Sequence, residues 1–212
     1  MNFSAAIFDL DGTLADSNSV WEKIDIILLQ RRGIKCSDAL ADSLASMTYE
    51  DAFSEMQKLG VKDSFQEVIK EFNELAAEEY RHNIFLKDYA VEYLTYLKGQ
   101  GIKIALATAS PRELYEPVLR HNHAYSYFDA FCTTDEAGRS KDHPDVYLLA
   151  ASKLGVSPNE CVVFEDILKG IVSAKNAGMT AIGVYDKYSA EDIVTIRAAA
   201  DKFIMNFSEM MK

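Results

Sequence analysis

Short apolar runs alternate along the chain with segments whose apolar residues recur every three or four positions. The runs are Ala5–Phe8 (AAIF), Ile102–Ala107 (IKIALA), Phe131–Thr133, Cys161–Phe164 (CVVF) and Ala181–Tyr185 (AIGVY). Lys202–Met205 (KFIM) predicts a short edge strand. Apolar on both faces and bounded by turn residues, these runs predict buried parallel strands. Between them, Asp88–Lys98 carries Val91, Leu94 and Leu97 at helical spacing, and Pro144–Leu154 carries Tyr147, Leu148, Ala151 and Leu154. Lys169–Ala177 predicts a helix stopped by Gly178. Ser189 with Asp192 predicts a capping box before Ile193 and Ile196. This alternation predicts right-handed crossovers and a parallel sheet with helices on both faces, an α/β fold.

One interval breaks the rhythm. From Ser17 to His82 no strand pattern occurs, and three helical pieces are predicted: Glu22–Arg31, Tyr49–Leu59 and Ser64–Arg81. The expected organisation is therefore a core of residues 1–16 and 84–212 with a helical insert of residues 17–83.

Composition narrows the class. The 212 residues are 49% hydrophobic and 26% charged, as in ordinary soluble domains. A net charge of −11 argues against nucleic acid or an anionic membrane as partner, so an anionic substrate must be drawn in by local cations. Cys36, Cys132 and Cys161 have no disulfide or zinc spacing and predict reduced thiols in a cytoplasmic protein. No signal-peptide pattern and no membrane-length apolar run occurs. A monomer or weak dimer is expected.

In an open parallel sheet, ligands bind off the carboxyl ends of the strands. Asp9 and Asp11 follow the first run. Thr108, Ala109 and Ser110 follow the second, Lys141 lies in the loop after the third, and Glu165 and Asp166 follow the fourth. On one rim, carboxylates, hydroxyls and a lysine fit a hard cation such as Mg²⁺ together with a phosphate. Each piece also has a plainer reading. Thr108–Ser110 before Pro111 suits a helix cap, as does Glu165–Asp166, and a lone lysine is usually solvated.

The stretches FDLDGTLADS, IALATAS, SKDHPD and VVFEDILKG, in this order, resemble the four motifs of the haloacid dehalogenase superfamily. The helical interval after the first resembles the cap of its β-phosphoglucomutase-like branch. The resemblance implies a Rossmann-like core with an inserted helical cap and Mg²⁺ as cofactor. It implies Asp9 as nucleophile, forming an aspartyl-phosphate, and Asp11 as proton donor and acceptor. Thr108 and the Ala109 N–H would hold phosphoryl oxygens and Lys141 would balance charge. Asp9, the Asp11 carbonyl, Asp166 and Glu165 would ligate the metal. Gly12 would allow a sharp turn that Thr13 braces. Ser110, Arg112, Trp21 and Tyr49 are substrate-contact candidates. Asp11 favours phosphate esters, because relatives acting on C–Cl or C–P bonds generally lack an acid there. Relatives acting as mutases typically carry a His where this chain has Trp21, and a Gly and an Arg where it has Ser46 and Tyr49. Hydrolysis of a small phosphorylated metabolite is therefore expected ahead of phosphomutase chemistry, and ahead of a noncatalytic phosphate-binding role.

Overall fold

The computed structural model describes residues 3–45, 47 and 49–211. The chain divides into two compact units, Met1–Asp16 with Ile84–Lys212, and Ser17–Asn83. The second holds α1 (Ser19–Arg31), α2 (Asp38–Ala45), α3 (Tyr49–Lys58) and α4 (Phe65–His82). The first holds six strands, β1 (Ala5–Phe8), β2 (Lys103–Thr108), β3 (Ala130–Thr133), β4 (Cys161–Glu165), β5 (Thr180–Val184) and β6 (Lys202–Ile204). Its helices are α5 (Ala90–Gly99), α6 (Arg112–His121), α7 (Thr134–Ala137), α8 (Asp145–Leu154), α9 (Leu168–Asn176) and α10 (Ile193–Ala199).

All the strands are parallel, in the order β3-β2-β1-β4-β5-β6. The fold is Rossmann-like. Strand progression reverses at β1, which opens a crevice beyond the carboxyl ends of β1 and its neighbours. β1 is central and wholly buried, which is why its sequence is apolar on both faces. On one face Phe8 and Phe164, paired in register, stack with centroids 4.6 Å apart, and Tyr93 and Phe207 close around them. On the other face Ile7 and Val163 join Tyr147, Ala150, Ile171 and Ala174. Each fully buried large apolar side chain contributes roughly 1.5–3 kcal/mol. The strand ends, where the polar residues begin, are thus held by the most buried part of the molecule.

A helix was expected after Thr108–Ser110 and Pro111, and it is α6, with Pro117 inside it. One element of the core differs from expectation for a local reason. The predicted capping box at Ser189 and Asp192 does not form. Lys187–Asp192 is a 3₁₀ turn capped by the Asp186 side chain, and Asp192 makes no side-chain cap bond to α10.

In the helical unit, α4 starts with a true capping box. The Ser64 hydroxyl accepts from the Glu67 N–H, and the Glu67 carboxylate accepts from the Ser64 N–H at 2.8 Å. The Arg32 guanidinium donates to both oxygens of Asp63 and to Glu71, tying the end of α1 to α4. Trp21 of α1 stacks on Phe72 of α4 at 5.7 Å, nearly parallel. Helix α2, eight residues long, lies where no helix was predicted. Among the described residues no helix is long and apolar enough to cross a membrane.

Candidate active site

The chain leaves β1 at Phe8, and Asp9 follows with its N–H donating to the Phe164 carbonyl of β4. That bond keeps Asp9 in the sheet and its carboxylate at the crevice floor, 4% exposed. Leu10 then turns the chain, its carbonyl accepting from the N–H groups of Thr13, Leu14 and Ala15. Gly12, at φ +80°, takes the left-handed conformation the turn requires. The Gly12 carbonyl accepts from the Lys87 ammonium, which also donates to the Tyr185 carbonyl and pairs with Asp186 at 2.9 Å. Lys87 thereby fastens the Asp9–Thr13 loop to the loop after β5.

Lys141 sits between Asp9 and Glu165. Its ammonium is hydrogen-bonded to Asp9 Oδ1, and donates to Glu165 Oε1 at 2.6 Å. Tyr147, from α8, donates to the same Glu165 oxygen at 2.7 Å. Asp166 accepts from the Thr13 hydroxyl on one oxygen at 3.0 Å and from the Ser189 hydroxyl on the other at 3.2 Å. Asp11 stands at the edge of this group, partly exposed, and accepts from the Ser110 hydroxyl at 2.6 Å. The Ser110 N–H donates to Thr108 Oγ1 at 2.9 Å. The plainer cap readings do not hold. Pro111 begins α6 and Ile167 begins α9, neither with a side-chain cap bond.

Charge explains the electrostatics. Asp9, Glu165 and Asp166 are buried together, with ligand atoms within 4.8 Å of one another, against a single lysine. Burial raises the Asp9 carboxyl well above the usual range. Lys141 opposes this and Glu165, Asp166 and Asp11 reinforce it. Burial, then Glu165, pushes Asp166 up to about 7, against Lys141 and the Thr13 hydrogen bond. Burial alone would weaken the Lys141 ammonium, but Asp9 and Glu165 outweigh it and hold the proton firmly. Glu165 Oε2 is buried without a hydrogen-bond partner among the described residues. Three carboxylates with one orphaned oxygen and one ammonium are short of positive charge, and a hard divalent cation fits that donor set. The Asp11 side chain is not part of the trio; the expectation there concerned its carbonyl.

The predicted residues thus converge: Thr108 and Glu165 end β2 and β4, and Asp9, Asp11, Gly12, Thr13, Ala109, Ser110, Lys141 and Asp166 follow β1, β2, β3 or β4 on one rim. Arg112 does not join them through a hydrogen bond; it is exposed and paired with Glu116 one turn along α6 at 2.7 Å. Trp21 and Tyr49 belong to the helical unit, where they line a cavity with Asp25. Ser46 lies outside the described residues.

Lys87, Tyr147, Gly170 and Ser189 were not predicted. Tyr147 had been read only as an apolar position of its helix. Gly170 matters by its lack of a side chain, because a Cβ there would lie 2.5 Å from Glu165 Cδ and 2.6 Å from Oε2. Gly170→Ala is expected to displace the Glu165 carboxylate, lowering turnover about tenfold or more and stability by about 1–3 kcal/mol. Steady-state kinetics and urea unfolding check this; wild-type values in both would show that Glu165 has room to move.

The match to known proteins bears on this geometry. Residues 6–184 match the family model for haloacid dehalogenase-like hydrolases. The chain belongs to that family. Hexitol phosphatase B of Escherichia coli K12 is 34% identical over 185 residues, 85% of this chain and 82% of that protein. Validoxylamine A 7'-phosphate phosphatase of Streptomyces hygroscopicus subsp. limoneus is 29% identical over 208 residues, 98% of this chain and 96% of its own. Among solved structures, a Thermotoga maritima protein described as a candidate beta-phosphoglucomutase superposes with a TM-score of 0.83 at 27% identity, covering 95% of this chain and 94% of its own.

Proposed function

We propose that this hydrolase is a Mg²⁺-dependent phosphatase that acts on a small sugar or polyol phosphate through an aspartyl-phosphate. The observation that carries the reading is the buried Asp9–Lys141–Glu165–Asp166 group beside Asp11, in a chain of the haloacid dehalogenase family. That the chain is a phosphatase rests on this family and on its named phosphatase relatives. The sugar-phosphate class rests on the relatives as well, and hydrolysis is favoured over mutase chemistry.

In the proposed mechanism Asp9 attacks phosphorus and the bond to the leaving oxygen breaks, while Asp11 gives that oxygen a proton. Asp11 then takes a proton from a water whose oxygen attacks phosphorus, and the Asp9–phosphorus bond breaks. The Ser110 hydroxyl orients Asp11 for both transfers. Lys141 stays protonated and offsets the repulsion between the Asp9 carboxylate and the substrate's charge. Thr108 and the Ala109 N–H serve as donors to the transferring group. Asp9, Glu165, Asp166 and the Asp11 carbonyl would hold Mg²⁺, which supplies further neutralisation of the phosphoryl oxygens when bound. The enclosed helical unit is the cap in this reading, and residues 1–16 with 84–212 are the catalytic domain.

Phosphate release from a panel of sugar and polyol phosphates, with Mg²⁺ and with EDTA, tests the reading. The same panel with glucose bisphosphate present tests the mutase alternative. Release that is absent on every ester, or indifferent to EDTA, overturns the corresponding part.

The cation also has an expected signature in stability. Folding raises the Asp166 carboxyl from 3.8 to about 7, so the cation-free native state holds the extra proton between those values. Its stability contribution therefore falls as pH rises from about 4 to about 7 and is level above. A divalent cation takes the place of protons, so Mg²⁺ is expected to raise Tm more at pH 8 than at pH 5. Thermal unfolding at the two pH values reads this directly, and equal shifts would count against cation binding at Asp166.

A further inference from the structure

Glu165 ends β4 fully buried, and its two carboxylate oxygens are treated unequally. Oε1 accepts both from the Lys141 ammonium at 2.6 Å and from the Tyr147 hydroxyl at 2.7 Å. Oε2 is buried as well, with no hydrogen-bond partner among the described residues. A buried carboxylate offered two donors is best served by one on each oxygen, because a bare buried oxygen costs its desolvation. Here both donors crowd one oxygen. A buried phenol needs an acceptor, but that need alone does not explain the choice of an oxygen already holding an ammonium. Tyr147 is wholly buried in the core with Ala150, Val163 and Ile171, so packing fixes where its hydroxyl stands. Gly170 of α9 confines the carboxylate further, since a Cβ there would lie 2.5 Å from Cδ, 2.6 Å from Oε2 and 2.8 Å from Oε1.

We infer that Tyr147 is a positioning residue for the cation: its hydroxyl pins Glu165 so that this side chain offers one oxygen, Oε2, and not two. The inference rests on the Mg²⁺ part of the proposed function and adds what makes the site prefer that ion. The last torsion of a glutamate is broad, so a single donor leaves the carboxylate plane free to swing. Lys141 is such a donor, and it is shared with Asp9. A second donor from α8 on the same oxygen, with the Gly170 backbone against the group, fixes the plane and hence Oε2. The other carboxylates are restrained in the same way. Lys141 engages Asp9 Oδ1, and the Thr13 and Ser189 hydroxyls each engage one oxygen of Asp166. None of the three keeps two bare oxygens. Mg²⁺ demands near-ideal octahedral geometry, whereas Ca²⁺ accepts flexible geometry and often takes both oxygens of one carboxylate. Single, fixed oxygens therefore favour Mg²⁺.

Calorimetric titration of the metal-free protein with Mg²⁺ and, separately, with Ca²⁺ reads both affinities without turnover. Tyr147→Phe removes one hydroxyl and keeps the ring. It is expected to weaken Mg²⁺ at least about tenfold, as loss of a metal ligand's hydrogen-bond partner does, and Ca²⁺ by less, so that the preference for Mg²⁺ shrinks. Without cation, Tm is expected to fall by only about 2–4 °C, for one lost hydrogen bond. Tyr93→Phe, which alters a buried ring on the opposite face of the sheet, should leave both affinities as in wild type. A merely structural Tyr147 hydroxyl would lower Tm and move neither affinity. Mg²⁺ affinity within about threefold of wild type, equal weakening of the two ions, the same losses in Tyr93→Phe, or a Tyr147→Phe chain that does not fold would overturn the inference. Wild type that takes up no Mg²⁺ defeats the cation part of the proposed function and the inference with it. Mg²⁺ binding that Tyr147→Phe leaves unchanged defeats the inference alone.

Discussion

Asp9→Asn is expected to lower kcat/KM on phosphate esters by at least about 10⁴-fold while leaving the protein folded. The amide oxygen is a far poorer nucleophile than a carboxylate, so the covalent route closes. The substitution also removes one of three crowded, buried carboxylates, and Lys141 keeps Glu165 as its partner. Burial and the Glu165, Asp166 and Asp11 charges all work against an ionised Asp9. Thermal stability without Mg²⁺ should therefore hold or rise. Intact-mass analysis after acid quenching should detect a phosphoryl adduct on the wild type and none on the variant. Residual turnover within tenfold of wild type would remove Asp9 from the nucleophile's place. A large loss of Tm would mean that Asp9 is chiefly structural.

Lys141→Met should cost both activity and stability, with a pH dependence that identifies the cause. Breaking a buried charge pair by removing one partner typically costs about 3–5 kcal/mol, because the other charge is left uncompensated. Here Asp9 and Glu165 both lose the ammonium, and Tyr147 remains as the Glu165 donor. Loss of a charge-stabilising donor at the reacting group also lowers turnover, by about 10²–10³-fold. With Lys141 gone, the carboxylates relieve their repulsion by taking up protons. The folded carboxyl values then rise further, and native-state proton binding grows relative to the unfolded chain. The stability deficit should thus be larger at pH 8 than at pH 5. Urea unfolding of wild type and variant at the two pH values decides it. A deficit independent of pH would indicate lost packing of the lysine stem rather than lost charge.

The motif residues were legible because a parallel sheet converts sequence order into spatial convergence. Each apolar run is local, and each polar residue after it lands at a carboxyl end. Asp9, Thr108, Lys141 and Asp166 therefore needed only the strands to be recognised. Ser189 was read as a helix cap because its neighbours in sequence suit one. Its hydroxyl instead donates to Asp166, a residue 23 positions away.

By itself the sequence determined the α/β class, the rim and the charged residues on it, since local periodicity and strand ends carry that information. Only the tertiary structure decided which groups share a proton or a donor. Tyr147 was an apolar helix position until packing set its hydroxyl on Glu165. Gly170 was unremarked until its α-carbon proved to leave room for that same carboxylate. Asp25 reads along the chain as one more polar residue of a helix. Yet it is 3% exposed, beside a cavity that it lines together with Leu44, Tyr49 and Phe72, all distant in sequence. Burial is set by which helices meet, and no single helix's sequence contains that fact.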